Sequence, residues 1–139
     1  MRGGLLLDTH ALIRVVLNEP FDAEARSRVN DAVVARSLFV SAATAWELGM
    51  IIRKPGVATL LGRSLTDWFH DAIAVTRSMT LPLDADLMLS IAGLPEPLHR
   101  DPADRMLIAT ARVHDLTLVT RDQAILDYAA LGHVKAIAC

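Results

Sequence analysis

Leu5-Leu6-Leu7-Asp8-Thr9-His10-Ala11-Leu12 is a short apolar run that ends on a carboxylate and passes at once into a helical pattern. A brief all-apolar segment is what a parallel strand covered on both faces looks like. A helix beginning directly after it is the opening of a β-α unit. From Leu5 to Ile13, Asp8 is the only residue reliably charged at neutral pH. Burying an unpaired carboxylate costs roughly several kcal/mol, so Asp8 needs a reason to be there. It reads either as the N-cap of the helix that follows, or as one of several carboxylates that the fold brings together.

The same alternation continues outward from this stretch. The pattern predicts helices over Thr9–Leu17 and Ala23–Ala35, the first stopped by Asn18-Glu19-Pro20. A strand over Leu38–Val40 leads into a helix over Ala42–Arg53, which Lys54-Pro55-Gly56 ends. Ser64 caps a helix through about Val75, with Leu65, Trp68, Phe69 and Ala72 as its apolar stripe. Met79–Leu81 reads as a strand, and Asp84 opens a helix that ends near Gly93. A proline-stiffened loop, Leu94 to Arg100, precedes Asp101-Pro102-Ala103-Asp104, which combines an N-cap Asp, Pro at the first helical position and an acid in the first turn. That helix runs to about His114. A strand over Leu116–Thr120, a helix from Arg121-Asp122 through Ala130 and a strand over Val134–Ala138 complete the chain, with Gly132 as the stop between the last two. Strands alternating with helices imply an α/β fold, a three-layer α/β/α sandwich with a mostly parallel central sheet. The pattern leaves the strand order open.

Composition narrows the function classes. A chain of 139 residues fits one domain, residues 1–139, with enough length to bury a core. Mean hydropathy is +0.35, yet no stretch approaches the roughly 20 uninterrupted apolar residues of a membrane span. Met1-Arg2-Gly3-Gly4 carries no signal-peptide pattern, and Cys139 is the only cysteine, so a reducing cytoplasm is the expected compartment. The net charge of −2 argues against a broadly basic nucleic-acid binder but leaves room for a local basic rim.

Ligands of open parallel sheets bind outside the carboxyl ends of the strands. Asp8 ends the first predicted strand, and Asp122 lies just past the fourth, with Thr120 beside it. Glu47 is the sole charge between Leu38 and Ile52, and its helical neighbours Ala43, Thr44, Met50 and Ile51 offer it no partner of opposite charge. Asp104 sits against Leu107, Ile108 and Ala111 on the apolar face of its helix, while Asp101 is able to do the capping alone. Converging carboxylates repel one another, and a hard divalent cation such as Mg²⁺ or Mn²⁺ relieves that repulsion with oxygen ligands. No His/Cys cluster suggests zinc, and no Gly-rich loop offers a nucleotide cradle.

Four fragments in order carry a family resemblance. Leu6-Leu7-Asp8-Thr9-His10, Ser41-Ala42-Ala43-Thr44-Ala45-Trp46-Glu47-Leu48, Asp101-Pro102-Ala103-Asp104-Arg105-Met106-Leu107-Ile108-Ala109 and Leu118-Val119-Thr120-Arg121-Asp122 resemble the successive motifs of PIN-domain proteins. Within them the chain is most similar to VapC-type toxins of bacterial toxin–antitoxin pairs. The resemblance implies an endoribonuclease that uses Mg²⁺ or Mn²⁺, with Asp8, Glu47, Asp104 and Asp122 as catalytic and metal-holding acids. It also implies that the Thr120 hydroxyl orients a carboxylate or water. As partners it implies an RNA substrate, a cognate antitoxin whose tail lies in a groove near the site, and a second copy of the chain in a homodimer.

Other residues near these motifs have plainer readings. His10 reads as packed or as supporting an acid rather than as a general base. Arg105 and Arg121 read as holders of RNA phosphate or as solvated surface residues. Trp46, Trp68 and Phe69 read as core or dimer contacts. A receiver-like phosphoacceptor module would need a second acid by the first strand and a lysine at a later strand end, where Thr9 follows Asp8 and Lys135 falls inside the last strand. An Asp-x-Asp phosphatase fails because His10 holds the second Asp position. A non-catalytic PIN scaffold would be favoured by loss of one of the four acids, and none is lost.

Overall fold

In the computed structural model, which describes residues 3–58 and 62–139, the three leucines form the middle strand of a parallel sheet. Met1 and Arg2, on which the reading of the N-terminus rests, lie outside the described residues. The elements run β1 (Leu5–Leu7), α1 (Thr9–Val16), α2 (Ala23–Val34), β2 (Leu38–Ser41), α3 (Ala42–Ile51) and α4 (Leu65–Thr76). They continue with β3 (Met79–Leu81), α5 (Ala85–Ser90), a 3₁₀ turn (Ile91–Gly93), α6 (Pro102–His114), β4 (Thr117–Thr120), α7 (Gln123–Ala130) and β5 (Lys135–Ala138). This is the expected order. The boundaries differ by a residue or two, chiefly at the end of α3, which stops at Ile51 where Arg53 was expected.

The strand order is β3-β2-β1-β4-β5, and every pairing is parallel. The chain builds outward from β1 in one direction through β2 and β3, then crosses to the other side for β4 and β5. The switch in direction falls between β1 and β4, where the order of a doubly wound sheet opens a crevice beyond the strand ends.

Side chains alternate across the strands and fill two cores. Leu6, Phe39 and Leu118 face one layer with Leu107, Ile108, Ile125 and Tyr128. Leu5, Leu7, Leu38, Val40 and Val119 face the other with Leu12, Val29 and Ala72. Each fully buried leucine contributes roughly 1.5–3 kcal/mol relative to exposure. Trp68 and Phe69 pack against the second core, whereas Trp46 is half exposed on α3 and belongs to neither. Among the described residues no helix is long and apolar enough to cross a membrane.

Candidate active site

The β1–β4 crevice is closed by one hydroxyl. Thr120, fully buried at the end of β4, donates from Oγ1 to Asp8 Oδ2 at 2.5 Å, and its hydroxyl oxygen accepts from the Asp122 amide at 3.0 Å. Asp8 is also the N-cap of α1, its Oδ1 accepting from the Ala11 amide at 2.7 Å. The cap and the site are therefore the same carboxylate, one oxygen serving the helix and the other the crevice. Each oxygen keeps a further lone pair. Burial pushes the Asp8 carboxyl above its ordinary range; the hydrogen bonds from Thr120 and Ala11 work against this, and the nearby Glu47 charge adds to it.

Glu47 arrives on α3, whose first turn is capped by Ser41. It does have a partner, on another helix: Thr9 Oγ1 lies within hydrogen-bonding reach of Glu47 Oε1 and, at 3.2 Å, of Thr44 Oγ1. Thr9 and Thr44 are both buried, so the strand-to-helix turn at Asp8-Thr9 positions two acids at once.

On α6, Asp101 caps the helix through the Asp104 amide at 3.0 Å and is exposed, which leaves the Asp104 side chain turned inward at 15% exposure. Burial, reinforced by the charges of Asp101 and Asp122, pushes the Asp104 carboxyl up to about 6 against the opposing hydrogen bond from His99. Asp122 caps α7 by accepting from the Ile125 amide at 3.0 Å and is exposed.

Asp8, Glu47, Asp104 and Asp122 all line one cavity of about 610 Å³, together with Thr9, His10, Arg14, Glu19, Asp101 and Arg121. They fall into two groups. Asp8 and Glu47 are each held by a different threonine, Thr120 and Thr9, whereas Asp104 and Asp122 join His99 in a cluster whose ligand atoms lie within 4.8 Å of one another. Mutual repulsion among oxygen donors, two of them pushed toward protonation, is the electrostatic situation that a hard divalent cation relieves. The residues present fit such an ion.

Three neighbours take more definite places than their sequence readings gave them. His10 is exposed and lines the cavity, which excludes the packed reading and leaves that of a residue supporting an acid. Arg105 is half-buried and does not line the cavity. Its Nε donates to the His99 carbonyl at 2.9 Å and its Nη2 to the Leu98 carbonyl at 2.8 Å. Arg121 lines the cavity, but its guanidinium already donates to the Cys139 carbonyl at 2.6 Å and the Pro20 carbonyl at 3.0 Å. Both arginines complete the scaffold because carbonyls left outside regular structure need donors. His99 and Thr9 were missed altogether. Their only signals are a histidine two residues before an N-cap, free to fold back onto the first turn, and a hydroxyl next to a strand-end acid.

A parallel α/β/α sheet with an acidic cavity at its topological switch defines a class of protein, and sequence comparison names the family. Residues 5–131 match the family model of the PIN domain, and the chain belongs to that family. No curated protein matches it by sequence. Among solved structures, a chain of VapBC2 from Rickettsia felis, bound to a DNA fragment from its promoter, is 13% identical with a TM-score of 0.69, over 97% of this chain and 98% of that one. A chain of DNA-bound VapBC from Salmonella typhimurium is 18% identical with a TM-score of 0.65, over 98% of each chain. A chain of FitAcB from Neisseria gonorrhoeae is 26% identical with a TM-score of 0.59, over 96% of each.

Proposed function

We propose that this protein is a single-domain, cytoplasmic endoribonuclease dependent on Mg²⁺ or Mn²⁺, the toxin half of a VapC-type toxin–antitoxin pair. The observation that carries the reading is the convergence of Asp8, Glu47, Asp104 and Asp122 on one cavity beyond the strand ends. Family membership and likeness to chains of the VapBC and FitAcB structures support it.

In this reading Asp8 and Asp104 hold the principal ion, with Glu47 and Asp122 completing its surroundings or those of a second ion. A bound divalent cation supplies Lewis acidity that activates water toward a phosphodiester and offsets negative charge developing at phosphorus. The chain's own work is orientation. Thr120 fixes the rotation of the Asp8 carboxyl, and Thr9 fixes that of Glu47. Both threonines are buried, so solvent does not compete for their hydroxyls.

The antitoxin's place is an apolar groove of about 410 Å³ lined by Ile13, Leu17, Leu48, Ile51, Ile52 and Trp68. Ile13 also lines the acidic cavity, so a segment lying in the groove would reach the carboxylates. Trp46 and Met50, half exposed one turn apart on α3, are the surface offered to a second copy in a homodimer.

The test is cleavage of RNA by purified protein in Mg²⁺ or Mn²⁺, against EDTA and against Asp8→Asn and Asp104→Asn. Cleavage that needs the ion and both acids is expected. Equal cleavage by wild type and both variants would remove the site from the account.

A further inference from the structure

We infer that His99 is a positioning residue of this site, holding the Asp104 carboxyl in the orientation that faces the cavity, and that Arg105 locks the loop carrying it; this rests on the metal-dependent reading above. His99 Nε2 lies 2.6 Å from Asp104 Oδ2. That distance is a short hydrogen bond, so this nitrogen is engaged with the Asp104 carboxyl. Fixing one oxygen of a planar carboxyl fixes the direction in which the other is presented.

The surrounding loop is built far more firmly than a connection between α5 and α6 requires. Leu94 and Leu98 are buried in the first core. Tyr128 donates from its hydroxyl to the Pro95 carbonyl at 2.7 Å, and Glu96 Oε2 accepts from the Leu98 amide at 2.9 Å. Arg105 then takes the carbonyls of Leu98 and His99 at 2.8 and 2.9 Å, with Glu96 3.6 Å away as its counter-charge. Arg105 directly follows Asp104 on α6. The helix therefore grips the loop by adjacent residues, the arginine holding the His99 backbone and the aspartate its side chain. Partners of this kind, bonded to a metal-holding carboxylate, are worth roughly 10- to 100-fold in ion affinity or activity.

The experiment titrates Mn²⁺ alone into the whole protein by calorimetry, comparing wild type, His99→Ala, His99→Gln and Asp104→Asn, each first checked by its melting curve. Glutamine places an amide donor near the position of Nε2 and is the conservative replacement. His99→Ala is expected to bind Mn²⁺ roughly 10- to 100-fold more weakly. His99→Gln should recover most of that loss, and Asp104→Asn should lose binding. On an RNA substrate, His99→Ala should lower kcat while leaving KM near the wild-type value. Wild-type Mn²⁺ affinity in His99→Ala, beside lost affinity in Asp104→Asn, overturns the positioning role and leaves the functional reading standing. Nitrogen hyperfine coupling to Mn²⁺ in wild type that disappears in His99→Ala also overturns it, by making His99 a ligand. A wild-type protein that takes up no Mn²⁺ removes the functional reading and this inference together.

Discussion

Replacing Asp104 by Asn should stabilise the ion-free protein while destroying its response to Mn²⁺. The side chain is 15% exposed, and burial with the charges of Asp101 and Asp122 raises its pKa from 3.8 to about 6. Such a shift corresponds to about 3 kcal/mol of unfavourable ionisation in the folded state. The sign follows from proton binding. The folded protein holds this proton more tightly than the unfolded chain does, so stability is intact below pH 3.8 and is lost as pH rises through about 6. Asparagine mimics the neutral acid at every pH, and the raised pKa already includes the hydrogen bond by which His99 favours the charged form. The gain at pH 7.5 is therefore about 3 kcal/mol, or roughly 6–12 °C in Tm for a chain of this size. Thermal and urea denaturation in EDTA at pH 7.5, 5.5 and 3.5 should show the advantage shrinking on acidification and vanishing at the lowest pH. Mn²⁺ should then raise the Tm of wild type and leave the variant unmoved. An Asp104→Asn protein less stable than wild type in EDTA at pH 7.5 would refute the reasoning, since it would make Asp104 an ordinary structural acid.

Thr120→Val removes the hydroxyl that serves both Asp8 Oδ2 and the Asp122 amide, and should cost roughly 1–3 kcal/mol in urea denaturation. Unchanged stability would mean that Asp8 does not depend on that hydrogen bond. Mn²⁺ at about 100 times its Kd should stabilise wild type by roughly 2.7 kcal/mol. Glu47→Gln should shrink that shift at the same concentration, and an equal shift in both proteins would place Glu47 outside the ion's surroundings.

Much of this architecture is readable in the chain because strand-forming and charged residues are so cleanly segregated. Leu5–Leu7 has no solvent-facing side chain to offer, so it is a strand covered on both sides, and the two cores divide its leucines as the pleat requires. Asp8 and Glu47 stand out because no lysine or arginine lies within a helical turn of them, and Asp104 because it falls on the apolar face of its helix. At Asp8 the two readings do not exclude each other, since one oxygen caps the helix and the other is turned to the crevice, and sequence does not show that division. Strand order was also beyond reach, because each β-α-α unit is locally compatible with adding to either side of β1. Arg105 was legible as a cation but not as a loop clamp, for its partners are backbone carbonyls, which leave no trace in side-chain identity. His99 escaped for the same reason: a loop held by Tyr128 from a distant helix decides where it points.

The central claim is that these carboxylates share a divalent cation. Anomalous diffraction from a crystal of the wild-type protein soaked in Mn²⁺ tests it without any assumption about substrate. A peak is expected in the cavity within coordinating distance of both Asp8 and Asp104, absent from an Asp104→Asn crystal soaked in the same way. A cavity without such a peak, in a protein that still cleaves RNA only when Mn²⁺ is present, would contradict it.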